Sequence, residues 1–178
     1  GLHFECVPSD LDEEPIVERM LADGFRAPDI ALELAKKKAL VVSRAHPDAL
    51  VIGSDQTLEF QNQLISKAPN AAAAREKLEM LSGGEHSLIS AVSVARGGAT
   101  LWQHMDDAHL TMRALDEAFL DMYCARAGDA LTHCVGAYEF EGMGAWLFSA
   151  IKGDFFTIIG MPLLPLLGQL RDHHGAGL

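Results

Sequence analysis

A carboxylate and an amide follow an apolar run near the middle of the chain, and they are the residues best placed for chemistry. Residues 49–52 are Ala, Leu, Val and Ile, and Gly53 and Ser54 lead directly to Asp55 and Gln56. Such a run is typical of a buried strand, and in α/β folds ligands bind where strands end. Asp55 is therefore the first candidate for a catalytic group, although an Asp in this position is also a common turn former or helix cap.

Further polar residues stand at the ends of predicted elements and suit the same chemistry. They are Glu13, Lys38, Gln56, Lys67, Glu141 and Asp154. Carboxylates and lysines without a nucleophile elbow or a Cys and His pair favour metal-assisted attack on phosphate. Carboxylate oxygens hold Mg²⁺ or Mn²⁺, whereas lysines act as point charges on phosphate oxygens. The alternative is that each of these residues is simply a solvated surface charge.

The composition of the 178-residue chain limits its partners. With 49% hydrophobic residues it can bury a full core, and no linker or repeat divides it, so one domain over residues 1–178 is expected. Its 14 Lys and Arg against 25 Asp and Glu give a formal charge of −11, which repels duplex nucleic acid and anionic membranes. A small polyanion is compatible with this charge where lysines and a divalent cation neutralise it locally.

Cysteines, histidines and apolar segments exclude several other classes of protein. Cys6, Cys124 and Cys134 are odd in number and widely spaced, so no disulfide framework or zinc knuckle is indicated and a reducing cytoplasm fits best. The histidines lack close neighbours of ligand type, so a transition-metal site is not expected. The longest apolar region, residues 155–170, is broken by Gly and Pro and falls short of the ~20 residues that span a bilayer, which predicts core.

Alternating and helical spacing of apolar residues predicts a sheet with helices around it. In chain order the predicted elements are a strand (4–7), an acidic loop (9–15), a helix (30–46), the buried strand (49–54), a hairpin (57–60 and 64–66), a helix capped by Asn70 (71–81), a long hairpin (87–95 and 100–112), a helix (116–125), a strand and turn (135–142), an apolar segment (145–151) and a last helix (163–171). Apart from Lys38, which lies in the middle of the helix 30–46, the candidate residues lie at or near the ends of these elements.

Taken together and in order, the motifs resemble those of the Maf family of nucleoside triphosphate pyrophosphatases. The matching segments are 52–56, Lys67, 78–86, 136–138 with 141–142, 151–154 and 159–163, with 12–13 and 34–39 nearer the N-terminus. They cover almost the whole chain. The resemblance implies an α/β fold with a mixed central sheet flanked by helices, a cleft between two lobes, and a homodimer.

The resemblance also implies roles for individual residues. Asp55 matches the proton acceptor, or the carboxylate that organises metal and water, in hydrolysis between the α- and β-phosphates. Glu13 matches an acidic residue near the metal and the triphosphate, and Lys38 and Lys67 match lysines that contact the phosphates. The implied cofactor is a divalent cation, Mg²⁺ or Mn²⁺, and the implied products are a nucleoside monophosphate and pyrophosphate.

At positions 56 and 141, the residues Gln56 and Glu141 make the sequence resemble the branch of the family that acts on 7-methyl-GTP. A carboxylate at Glu141 suits this base, because N7 methylation gives the ring positive charge and its N1 and N2 groups are donors. Alternation along a strand would also permit Glu141 to face solvent beside Glu139. A dTTP and UTP pyrophosphatase and a non-catalytic, nucleotide-sensing regulator of cell division remain as alternatives.

The chain departs from the family's pattern at its N-terminus. Members of the family begin with a strand and a Ser-rich, Arg-containing loop that grips the phosphates, and this sequence starts after the place where that loop belongs. Its first Arg is Arg19. The expectation is therefore a Maf-like domain that lacks this strand and loop and binds nucleotide less well.

Overall fold

A computed structural model describes residues 3–174 of the chain. Its elements in chain order are α1 (Glu14–Ala22), α2 (Ala27–Ala45), β1 (Val51–Phe60), β2 (Gln63–Ile65), α3 (Ala71–Leu81), β3 (Glu85–Arg96), β4 (Ala99–Met112), α4 (Glu117–Arg126), α5 (Ala130–His133), a 3-10 helix (Met143–Leu147), β5 (Phe148–Lys152), α6 (Phe155–Ile158) and α7 (Leu163–His174). The five strands form one sheet in the order β2-β1-β3-β4-β5, with helices packed against it. The predicted α/β fold with a central sheet flanked by helices is confirmed.

All four strand pairings in the described residues are antiparallel, so the expected mixture of strand directions is corrected. Two tight hairpins account for much of this arrangement. Gln61 and Asn62 join β1 to β2, and Gly97 and Gly98 join β3 to β4, all four with φ between 52° and 78°. Two-residue turns with both residues in the left-handed region match the twist of antiparallel strands. The division into two lobes stays a prediction.

The first strand is longer than predicted and has one open edge. β1 joins the predicted buried strand and the first hairpin strand into ten residues. Only Leu58, Glu59 and Phe60 pair with β2. Residues 51–57 pair with β3 on one side, and no described strand covers their other side. The strand therefore presents Asp55 and Gln56 beside an open edge of the sheet.

One face of the sheet is covered by α2, which packs on β1 at unusually short range. A Cβ atom on Gly53 would lie 2.5 Å from the carbonyl oxygen of Ala35 and 2.6 Å from the main-chain nitrogen of Ala39. Both alanines are completely buried. Small residues on helix and strand thus permit the close approach that brings Lys38, in the middle of α2, to Asp55.

The opposite face carries the larger hydrophobic core. Leu58, Leu88 and Leu110 project from successive strands into a cluster with α3, α4 and the segment after α5. Asn70 accepts a hydrogen bond from the main-chain nitrogen of Ala73 at 3.0 Å and so caps α3 as predicted. Asp116 caps α4 in the same way. Each cap stabilises its helix by about 1 kcal/mol.

Three local predictions are wrong. Residues 4–7 form no strand and are exposed. The acidic segment 9–15 is not all loop, because α1 begins at Glu14 with Pro15 at a position that suits the first turn. Residues 135–142 form turns rather than a strand, and the left-handed φ of 61° at Ala137 interrupts any extended run there.

Among residues 3–174, no helix combines the length and apolar character needed to cross a membrane.

Candidate active site

A pocket of about 830 Å³ opens beside the free edge of β1. Its lining includes all of the residues predicted from the sequence to meet metal, phosphate or base, namely Glu13, Lys38, Asp55, Gln56, Lys67 and Glu141. Asp154 does not line it. Pockets that enclose small molecules typically measure about 300–1,000 Å³, so this one can accept a nucleotide.

Lys38 lies between two carboxylates that line the pocket with it. Its Nζ donates to Asp55 Oδ1 at 2.5 Å and lies 2.8 Å from Glu13 Oε1. Glu13 stands at the N-terminus of α1, but its side chain makes no capping bond there and is free to reach Lys38. Burial lowers the pKa of Lys38, and the hydrogen bonds to both carboxylates outweigh burial and raise it overall. Lys38 is therefore an ammonium ion that joins α1, α2 and β1.

The pKa of Asp55 is raised above its ordinary value. Burial is the largest cause, since only 10% of the side chain is exposed, and the charge of Glu13 adds to it. The hydrogen bond from Lys38 and the charge of Lys67 act in the opposite direction. A carboxylate with a raised pKa accepts a proton more readily than an ordinary aspartate while it is ionised, which is the property required of a general base.

Glu13 and Asp55 have the donor chemistry to hold a divalent cation between them and a phosphate. Within residues 3–174 there is no group of three or more His, Cys, Asp or Glu side chains that could hold a metal ion unaided. Lys38 contacts one oxygen of each carboxylate, which leaves the second oxygen of each for another partner. Mg²⁺ commonly binds one or two carboxylates together with substrate phosphates and water. The residues therefore fit a cation that binds together with a phosphate.

Gln56 points to the opposite face of β1 from Asp55, toward α6. Its Nε2 lies 2.9 Å from Ser90 Oγ and 3.0 Å from each of the main-chain oxygens of Thr157 and Ile158. Ser90 Oγ donates to the Thr157 oxygen at 2.7 Å, so it can only accept from Gln56. These acceptors hold the amide nitrogen against α6 and leave Oε1 as the polar atom available to a ligand.

The segment around α6 is attached to β1 by further hydrogen bonds. Ser54 Oγ lies 2.7 Å from the main-chain oxygen of Gly160 and 2.9 Å from that of Ala91. Asp154 accepts from the main-chain nitrogens of Phe156 and Thr157, and so caps α6. Asp154, a candidate from its position in the sequence, is therefore a helix cap whose carboxylate is directed at the backbone.

Lys67 and two glutamates lie along the wall formed by residues 133–141. Burial raises the pKa of Cys134, Glu139 and Glu141 raise it further, and Lys67 lowers it. Because Lys67 also lowers the pKa of Asp55, its charge acts on both Asp55 and Cys134. Glu139 and Glu141 are both exposed in a stretch without strand structure, and both line the pocket.

The backbone of this wall is held in place by buried residues. A Cβ on Gly136 would lie 2.3 Å from the ring of Tyr138, and Ala137 takes the left-handed conformation. Tyr138 Oη lies 2.6 Å from His86 Nε2, and Tyr123 Oη donates to the Ala137 oxygen at 3.2 Å. The partner of the buried His86 is thus a tyrosine side chain. The motif Gly136-Ala137-Tyr138 thus fixes the backbone conformation of the pocket wall.

Sequence reasoning missed two buried polar residues near the pocket. Ser90 is completely buried behind Gln56, and Lys77 on α3 is 8% exposed. A signal for Lys77 was present, because it lies on the same helical stripe as Ala74, Leu78 and Leu81, all of which are buried. A lysine on such a stripe is seldom buried without polar partners.

Comparison with known proteins agrees with the motifs. The model of the Maf family, described as Maf-like protein, matches residues 1–173. A protein of Brucella abortus named 7-methyl-GTP pyrophosphatase is 46% identical over 171 residues, which cover 96% of this chain and 86% of the relative. A Rhodopseudomonas palustris protein named nucleoside triphosphate pyrophosphatase is 47% identical over 175 residues, which cover 98% and 85%. The family model and these identities show that the chain belongs to the Maf family.

Proposed function

We propose that the chain is a nucleoside triphosphate pyrophosphatase that hydrolyses 7-methyl-GTP to the monophosphate and pyrophosphate. The observation that carries the proposal is the distribution of charge in one pocket. Lys38 pairs with Glu13 and Asp55. The charge of Lys67 lowers the pKa of Asp55 and of Cys134, and the charge of Glu141 raises the pKa of Cys134. A nucleotide with an anionic triphosphate and a cationic base is complementary to this series.

The charge of the pocket supports a requirement for a divalent cation. Its carboxylates are Glu13, Glu14, Glu18, Asp55, Glu139 and Glu141, and its lysines are Lys38 and Lys67. A triphosphate carries about four negative charges near neutral pH, and Lys38 is already paired with two carboxylates. Glu13 and Asp55 would hold Mg²⁺ or Mn²⁺, which when bound neutralises phosphate charge and polarises the phosphorus centre.

Asp55 is the proton acceptor in the proposed reaction. It takes a proton from water while the water oxygen forms a bond to the α-phosphorus. The bond from that phosphorus to the α–β bridging oxygen breaks, and pyrophosphate leaves with the electron pair. Lys38 orients the Asp55 carboxylate, and Lys67 contacts the phosphate oxygens. The step consumes only water, so no further reactant is needed.

Glu141, Glu139 and the free Oε1 of Gln56 provide acceptors and negative charge for the base. The ring of 7-methylguanine is positively charged and carries donors at N1 and N2, so carboxylates attract it and hydrogen-bond to it. Thymine and uracil are neutral and offer a single ring donor. The same carboxylates repel the triphosphate and thereby favour one orientation of the substrate in the pocket.

Pyrophosphate release tests the proposal directly. The purified protein is mixed with Mg²⁺ and, separately, with 7-methyl-GTP, GTP, dTTP and UTP. We expect the highest kcat/KM with 7-methyl-GTP. A higher value with dTTP or UTP would contradict the proposed substrate, and tight nucleotide binding without pyrophosphate release would contradict catalysis.

The remaining parts of the proposal concern assembly and compartment. We propose a homodimer that acts on small nucleotides in a reducing cytoplasm. The three cysteines, all free in the described residues, are compatible with that compartment. Light scattering of the purified protein would distinguish a dimer from a monomer.

A further inference from the structure

Lys77 is a buried lysine whose partners are carbonyl groups alone. It lies on α3 with 8% of its surface exposed, and no carboxylate of the described residues lies within 4.0 Å of its Nζ. The Nζ donates to the main-chain oxygens of Ser66 and Val135, at 2.5 Å and 2.9 Å. Burial lowers the pKa of Lys77 to about 8. A lysine in such a place requires an explanation, because burial of an ammonium group without a counter-ion is costly.

The two acceptors belong to two separate parts of the pocket. Ser66 directly precedes Lys67, and Val135 directly precedes Gly136 in the wall that ends at Glu141. Neither carbonyl belongs to the sheet, because β2 ends at Ile65 and residues 135–142 contain no strand. Within the described residues, the Lys77 ammonium is the group that ties both carbonyls to the core.

We propose that Lys77 is a positioning residue for Lys67. It fixes the segment that carries Lys67 against the wall 133–141, and so sets the place of the Lys67 charge relative to Asp55. An apolar side chain at this position would fill the space and leave two inward-facing carbonyls without a donor. Those segments would then turn toward water, and Lys67 would move with them. The inference rests on the proposed function only for the choice of substrate.

The kinetic test uses Lys77→Met, which keeps the length and apolar stem of the side chain and removes its donors. With the best triphosphate substrate, we expect KM to rise ~10-fold while kcat changes less than ~3-fold, because phosphate binding is weakened and the hydrogen bond from Lys38 still holds Asp55 in place. Lys36→Met is the matched control, since Lys36 is half exposed, pairs with Glu33 and does not line the pocket. It should retain the wild-type KM.

A double-mutant cycle distinguishes positioning of Lys67 from a general structural role. In a Lys67→Met background, Lys77→Met should raise KM less than ~2-fold further, because the group it positions is already gone. If the two effects multiply instead, Lys77 does not act through Lys67 and the proposal is overturned.

Hydrogen exchange provides an arm that needs no substrate. In Lys77→Met, the amides of Ala68, which is buried, and Ala137, which donates to the Cys134 oxygen at 3.0 Å, should exchange ~10-fold faster or more, while those of the β3–β4 hairpin keep wild-type rates. Lys77→Arg, which keeps charge and donors, should restore much of the protection. Unchanged exchange in both segments would overturn the proposal. This test does not depend on the proposed function, because it can be read even if the wild type hydrolyses none of the nucleotides. If Lys77→Met does not fold, Lys77→Gln is measured in its place.

Discussion

Gly53 and Ala39 approach so closely that a Cβ on Gly53 would lie 2.6 Å from the Ala39 main-chain nitrogen. Lys38 is the neighbour of Ala39 on α2, and Asp55 lies two residues after Gly53 on the same face of β1. The contact between glycine and helix therefore also determines the distance between Lys38 and Asp55. Packing and site geometry depend on the same pair of residues.

Replacement of Gly53 by alanine should affect stability and activity together. The new methyl group meets main-chain atoms of α2 rather than a flexible side chain, so helix or strand must shift, at a cost of about 1–3 kcal/mol in the free energy of unfolding. Urea unfolding and kcat/KM measure both effects. Gly168→Ala is the control, because α7 leaves room for a Cβ there and the change should stabilise the helix by up to about 1 kcal/mol. A Gly53→Ala protein with wild-type stability would contradict the close contact.

Asp55→Asn should abolish most of the activity. The amide keeps the size of the side chain but cannot accept the proton of the attacking water, so kcat should fall by ~10²–10⁴-fold. Steady-state pyrophosphate release measures the loss. Asp116→Asn makes the same chemical change at the cap of α4, where asparagine also caps well, and should leave kcat unchanged. Undiminished activity of Asp55→Asn would contradict the role of Asp55.

Gln56→Glu should destabilise the protein despite its small change in shape. It replaces an amide nitrogen by a carboxylate oxygen that faces the oxygens of Ser90, Thr157 and Ile158. Loss of the donor and burial of like partial charges should lower the free energy of unfolding by about 1–3 kcal/mol. Gln63→Glu, an exposed change in β2, serves as the control in urea unfolding. Equal stability of the two variants would show that the Gln56 amide has the opposite orientation.

Glu141→Gln should reduce the preference for the methylated base. It removes negative charge from the pocket wall, so the ratio of kcat/KM for 7-methyl-GTP to that for GTP should fall ~10-fold, equivalent to about 1.4 kcal/mol. The ratio is measured with both substrates under identical Mg²⁺ concentrations. Glu76→Gln, outside the pocket, is the matched control. An unchanged ratio would assign the base to another part of the pocket.

His86 should make the fold sensitive to acid. Burial lowers its pKa from 6.5 to about 4, so between these values the unfolded chain binds a proton that the folded protein does not. The free energy of unfolding therefore falls as the pH drops through this window, by about 3 kcal/mol in all for a group that is 2% exposed. His86→Phe should lose less stability between pH 7 and pH 4.5 than the wild type in urea unfolding. His46→Gln, an exposed change, should follow the wild type, and parallel curves for all three proteins would contradict the assignment.

Much of the sheet was predictable because its signals are local. Gln61 and Asn62 mark the first hairpin, and Asn70 marks the start of α3. By contrast, α1 was missed although Ile16, Val17, Met20 and Leu21 have helical spacing, because the acidic residues before them indicated a solvated loop and the helix buries none of its residues. Residues 135–142 alternate like a strand, but the left-handed Ala137 and the ring of Tyr138 against Gly136 depend on tertiary packing. Spacing alone does not reveal such contacts.

The members of the site were easier to predict than their connections. The motif order indicated Asp55, Lys38, Lys67 and Glu141 as candidates, and the fold brings them to one pocket, while their roles stay predictions. The sharing of Lys38 between two carboxylates requires α1 and α2 to meet beside β1, and no local pattern encodes that meeting. Lys77 went unnoticed because a lysine in an Ala-rich helix is ordinarily exposed.

The capping of α6 by Asp154 has a consequence for mutational surveys of acidic residues. α6 supplies the carbonyl oxygens that orient Gln56, so alanine at Asp154 would disturb the pocket without touching a reacting atom. An alanine scan would score Asp55 and Asp154 alike as inactivating. Asparagine scanning should separate them, because asparagine can replace a carboxylate that receives backbone N–H groups but cannot accept a proton from water, the role proposed for Asp55.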